Sequence, residues 1–88
     1  MITSVNTISE QVAASTVHFE EDTLVITLSD NRVLSVPVNQ IEWLRWLAQA
    51  TPAQRDNWTI EPGGFAIYWE DLDDGVEIEH LLTIWSLQ

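Results

Sequence analysis

Eighty-eight residues hold one domain and not two, and a chain this short must commit most of its apolar side chains to a single core. Without cysteine there are no disulfide staples and no thiolate metal site, so packing has to carry the stability. Fourteen Asp and Glu stand against three Arg, a net charge of −11, which excludes the cation-rich surface that a direct nucleic-acid binder uses to displace phosphate counterions.

The hydrophobic share of 45% and the five Trp supply enough apolar area for one core. No run approaches the roughly 20 apolar residues of a membrane span. The N-terminal residues lack the basic-then-apolar layout of a secretory leader, so a cytoplasmic protein is expected. Asn57-Trp58-Thr59 matches a glycosylation sequon, which reads as a chance match in that setting.

Charge is distributed unevenly. After Arg55 there is no cation, while Asp56, Glu61, Glu70, Asp71, Asp73, Asp74, Glu77 and Glu79 follow. Such a distribution fits an acidic face that steers towards a basic partner, and it equally fits charge that merely keeps a small protein dispersed.

Residues 1–16 are rich in Ser, Thr and Ala, with Ile2, Val5, Ile8 and Val12 as their large apolar groups. A tail, a strand through Ile8 and a short helix after Ser9 all fit, so 1–16 is read as an extension and 17–88 as the domain. From Val17 the pattern clears. Val17 and Phe19 alternate with His18 and Glu20, and Glu21-Asp22 makes a turn. Thr23 to Leu28 places Leu24, Ile26 and Leu28 on one face of a strand. Asp30-Asn31 suits a tight type I′ turn, after which Leu34, Val36 and Val38 return on one face.

Pro37 ends that strand, and Asn39 with Glu42 predicts a capping box opening a helix over 40–50. Its buried stripe would be Ile41, Leu44, Leu47 and Ala48, with Trp43 and Trp46 beside it. Thr51-Pro52 followed by Gln54 predicts a second box and a short helical turn. Trp58 to Ile60 is strand-like, Pro62-Gly63-Gly64 is a turn, and Phe65 to Trp69 alternates with Phe65, Ile67 and Trp69 on one face. An acidic loop over Asp71 to Gly75, a short strand over Val76 to Ile78 and a terminal helix over Glu79 to Leu87 complete the chain. The expected fold is therefore α+β: a small antiparallel sheet built as a meander from 17–38 and 58–69, with one main helix packed on one face.

Motifs for chemistry are missing. His18 and His80 lie in separate elements and form no two-His metal pattern. The serines lack a nucleophile elbow, and Gly63-Gly64 sits between strands rather than in a phosphate loop. An EF-hand starting at Asp71 fails at its fifth and sixth positions, Gly75 and Val76. No catalytic, cofactor-binding or metal-ligating residue is assigned. Among the tryptophans Trp43, Trp46, Trp58, Trp69 and Trp85, most should be core, and Trp46 is the candidate for an interface because it lies off the helical stripe.

Several ordered blocks carry a resemblance. They are Leu28-Ser29-Asp30-Asn31-Arg32-Val33-Leu34-Ser35-Val36-Pro37-Val38, then Trp43 and the stretch from Leu47 to Trp58. Ile67-Tyr68-Trp69-Glu70-Asp71-Leu72-Asp73-Asp74 and Ile78-Glu79-His80-Leu81-Leu82 follow. In these blocks the chain resembles the bacterial domain-of-unknown-function family 2442, over roughly residues 17–82. Asn31 stands where a turn glycine is usual, Tyr68 where His is common and Glu70 where Pro is common. The missing His weakens any chemistry that would have used it.

The resemblance implies a small α+β domain without established catalytic residues. It also implies a genetic setting beside a second small family, the pair looking like a toxin–antitoxin module with this side as the antitoxin. Some relatives add a helix-turn-helix domain, for which 88 residues leave no room. The expected function is a non-enzymatic, acidic protein-binding domain, antitoxin-like, with a basic protein partner. No direct nucleic-acid or membrane binding is expected. The alternative is an acidic DNA mimic or regulator that occupies a nucleic-acid-binding protein. A third reading is a purely structural or oligomerising domain. Candidate partner-binding residues are Trp46, Glu70, Asp71, Asp73 and Asp74.

Overall fold

A computed structural model describes residues 12–86, the last three as backbone only. Strands β1 (Ala14–Glu20), β2 (Thr23–Leu28) and β3 (Val33–Pro37) form an antiparallel meander. Leu24 lies opposite Val36 and Ile26 opposite Leu34, so the alternation read from the sequence does set the buried face. β1 starts at Ala14, inside the stretch treated above as an extension, and a bulge at Ser15 lets both Ala14 and Val17 point inward. The alternatives for residues 1–11 lie outside the described residues.

The β2–β3 turn differs in type from the expectation. Asn31 N–H donates to the Leu28 carbonyl (2.9 Å) and Leu28 N–H to the Arg32 carbonyl (2.8 Å). Of Asp30 and Asn31 only Asn31 has a positive φ, 75°. This is a three-residue loop, a type I turn closed by a left-handed residue, rather than a two-residue type I′ turn. Asp30 holds it: one carboxylate oxygen accepts from the Arg32 amide and the other from its guanidinium. The amide bond, followed by the guanidinium's hydrogen bond and charge, lowers the Asp30 carboxyl below the ordinary carboxylate value.

After β3 the expected single helix is broken up. The chain makes 3-10 turns over Val38–Gln40 and Glu42–Leu44, with Ile41 extended between them, and only Arg45–Ala48 is α-helical (α1). Neither Asn39 nor Ile41 supplies a side-chain cap, so the box with Glu42 does not form. The spacing explains why. Val38, Ile41, Leu44 and Leu47 recur at a strict interval of three, the repeat of a 3-10 turn, and Val38 and Ile41 are β-branched. The buried ends of this segment are as expected, since Leu44 and Leu47 are fully enclosed. The second capping box does form: Thr51 Oγ1 accepts from the Gln54 amide and the Gln54 side chain accepts from the Thr51 amide, opening α2 (Pro52–Arg55).

Strands β4 (Trp58–Ile60), β5 (Ala66–Trp69) and β6 (Asp74–Glu77) form a second antiparallel meander, followed by α3 (Ile78–Ser86). The expected single sheet is thus two three-stranded sheets around one core. Val17, Leu24, Ile26, Leu34 and Val36 from the first sheet join Ile67, Trp69 and Val76 from the second, with Leu44, Leu47, Ile78 and Leu81 from the helical segments. Gly64 makes the close approach between the sheets possible. It is buried at φ 78°, and a Cβ there would lie 2.8 Å from the Ala13 Cβ.

Phe65 is not on the buried face. It ends the 3-10 turn Pro62–Gly64 in a helical conformation (φ −92°, ψ −8°), so strand alternation starts one residue later and the ring is 48% exposed.

Candidate functional site

Trp69 and Arg55 organise the interior beneath the candidate residues. Trp69 is fully buried and donates its indole N–H to the Arg55 carbonyl at 2.9 Å. Phe19 and Trp46 both meet it edge-on, at 6.4 Å and 5.9 Å between ring centroids. The Arg55 guanidinium lies 5.2 Å from the centre of the Phe19 ring and donates to the Glu21, Leu47 and Ala48 carbonyls and to the Asp22 carboxylate. A cation counted in the sequence only as charge therefore ties the β1–β2 turn to α1, while the backbone carbonyl of the same residue meets the second sheet at Trp69.

Trp46 is half-buried. Its indole N–H is taken by the Trp43 carbonyl (3.0 Å) and its ring edge is used against Trp69. Trp43 is the more open of the two. It stacks flat on His80 of α3, 4.6 Å between centroids at an interplanar angle of 5°. Trp58 is half-buried at the start of β4, and the Trp85 side chain lies outside the described residues.

Glu70, Asp71, Asp73 and Asp74 are all exposed, as a group, at the β5–β6 connection. That connection is tighter than the expected loop: Glu70–Leu72 is a 3-10 turn, Asp73 takes a left-handed φ of 52°, and Asp74 already belongs to β6. Three of the four carboxylates are anchored. Asp71 accepts from the Asn57 side chain (3.1 Å), Asp73 from the Tyr68 hydroxyl (2.6 Å) and Asp74 from the Gly75 amide (2.8 Å). The bond to Asp73, with the negative charges of Asp73, Glu70 and Glu61, raises the Tyr68 phenol above its ordinary value of 10.

Pairing elsewhere leaves this region without cations. Arg32 pairs with Asp30, Arg45 with Glu42 and Arg55 with Asp22, so among the described residues no acid beyond residue 60 has an ion-pair partner. The acids come from two sides of the second sheet. Glu61 and Glu77 flank Ala66 on its outer face, and Glu70 to Asp74 close one end. Sequence reading missed Glu61, Phe65 and Glu77, because their proximity depends on strand register and no local pattern announces it. Among the described residues no three His, Asp or Glu side chains converge as metal ligands, and no helix is long and apolar enough to cross a membrane.

Comparison with known proteins places the fold. A protein of unknown function from Rhodospirillum rubrum ATCC 11170 superposes with a TM-score of 0.71 at 17% identity, covering 84% of this chain and 88% of that one. An uncharacterized protein from Chromobacterium violaceum superposes with a TM-score of 0.70 at 23% identity, covering 91% of this chain and 72% of that one. No curated protein matches the sequence. The family described as protein of unknown function (DUF2442) matches residues 14–85, and with both meanders, the helical segment between them and nearly all of α3 inside that match, the chain belongs to this family.

Proposed function

We propose that this chain is a non-enzymatic, acidic protein-binding domain of the cytoplasm whose partner is a small basic protein, in the manner of an antitoxin holding a toxin. The observation that carries the reading is the uncompensated charge of the second sheet: exposed Glu61, Glu70, Asp71, Asp73, Asp74 and Glu77, with every Arg paired to an acid of the first half. Uncompensated carboxylates on a rigid sheet and a pinned turn steer a basic protein to encounter and repel phosphate. The Trp43–His80 stack and the half-buried Trp46 add apolar surface on the helical side.

The test is co-expression with any small basic protein encoded beside it. Growth restored by this chain, and a complex that dissociates on raising salt from about 50 to 500 mM, support the reading. A neighbour that neither binds nor is neutralised overturns it. A captured partner that duplex DNA displaces from this chain would instead identify a DNA mimic.

A further inference from the structure

The outer face of the second sheet holds a groove of about 470 Å³. Strand register decides what lines it. Glu61 N–H donates to the Ala66 carbonyl, and Ala66 lies opposite Glu77, so one small residue of β5 separates a carboxylate just past the end of β4 from one on β6. With strands spaced about 4.8 Å apart, the Glu61 and Glu77 backbones stand roughly 10 Å from each other across Ala66. Further along, Tyr68 lies opposite Gly75, which continues the low floor. A Cβ at Gly75 would come within 2.5 Å of the Ile67 carbonyl oxygen, so that floor stays free of a side chain. Phe65, thrown outward by the preceding turn, and Tyr68 add aromatic surface to the groove.

Two carboxylates that have no ion-pair partner among the described residues, a low floor and aromatic surface fit one kind of side chain. Methylenes lie over Ala66 and Gly75, a planar cation stacks on an aromatic ring, and its donors reach a glutamate. Guanidinium meets all three demands. An ammonium is a compact, strongly hydrated charge that gains little from the flat ring. We propose that the groove between Glu61 and Glu77 is an arginine slot, taking an Arg side chain of the basic protein partner. The slot rests on the protein-binding reading above, and gives it a site separate from the Glu70–Asp74 turn.

The probe is the blocked peptide acetyl-Gly-Arg-Gly-Arg-Gly-amide, with its Lys counterpart, titrated into ¹⁵N-labelled protein at low salt and followed by amide shifts. The Arg peptide should move amides of residues 61–68 and 74–78 and bind at least about threefold more tightly than the Lys peptide. Glu61→Gln with Glu77→Gln should weaken it at least about tenfold, whereas Asp71→Asn with Asp74→Asn, an equal loss of charge, should weaken it less than about threefold. All four positions are exposed, and unchanged amide spectra away from the substitutions confirm folding. Equal affinity for the Lys peptide, equal losses in the two double variants, or shifts centred on 70–74 would overturn the slot. A natural partner whose affinity ignores Glu61→Gln with Glu77→Gln removes the slot and leaves the protein-binding reading. An intact slot in a protein that neither binds nor neutralises any basic protein encoded beside it removes that reading alone.

Discussion

Arg55→Ala tests whether one buried cation joins the β1–β2 turn to α1. The side chain is 11% exposed, against 53% for its partner Asp22. The carbonyls of Glu21 and Ala48 find their hydrogen-bond donor in the guanidinium (2.8 Å each), and Leu47 receives a third bond at 3.2 Å. Leaving two such carbonyls without a donor costs about 1–3 kcal/mol each. Two carbonyls at that cost, with the lost contact with Phe19 added, give a loss of about 3–5 kcal/mol. A domain of this size has about 4–13 kcal/mol in total. The assay is urea unfolding followed by Trp fluorescence, where a slope of about 1 kcal/mol/M makes the midpoint fall by roughly 3 M or more. Asp22→Asn is the control: the carboxylate is half in water, so its loss should cost less than about 1 kcal/mol. Should Arg55→Ala cost under about 1 kcal/mol, or Asp22→Asn cost as much, the carbonyl ties are not what hold this junction.

Asn31→Gly should raise stability by about 0.5 kcal/mol, and Asn31→Ala should lower it by about 1 kcal/mol, because the residue sits at φ 75°; thermal unfolding of the pair reads both signs. Tyr68, the one tyrosine, should titrate above 10 by ultraviolet absorbance and return towards 10 in Asp73→Asn. Its bond to Asp73 needs the neutral phenol, so that contribution to stability is full below the unfolded value near 10 and is lost as pH rises through the folded value. Against the basic partner, Asp71→Asn with Asp73→Asn should slow association several-fold at low salt and converge with wild type at high salt, whereas Trp46→Ala should mainly shorten the lifetime of the complex; surface-binding kinetics separate the two.

The first meander was legible because its cues are local. Leu24, Ile26 and Leu28 alternate, Asp30-Asn31 marks a turn, and Leu34 and Val36 return on the same face. The Thr51–Gln54 box was legible for the same reason, its two bonds spanning three residues. Asn39 and Glu42 carried an equally good local cue and no box formed. There the core's demand for Val38, Ile41, Leu44 and Leu47 at intervals of three outweighed the cap. Phe65 was misplaced by a single residue, since alternation cannot tell where a turn hands over to a strand.

From the sequence alone follow the α+β class, the surplus of negative charge and its crowding after Arg55, because these are sums and short-range patterns. Tertiary structure alone decided that two sheets share one core, that Arg55 is consumed inside it, and that Glu61, Ala66 and Glu77 stand side by side. Each of these depends on the pairing of strands distant along the chain. Such pairing is selected by the burial of Ile67, Trp69 and Val76 together, a property that no local stretch of residues contains.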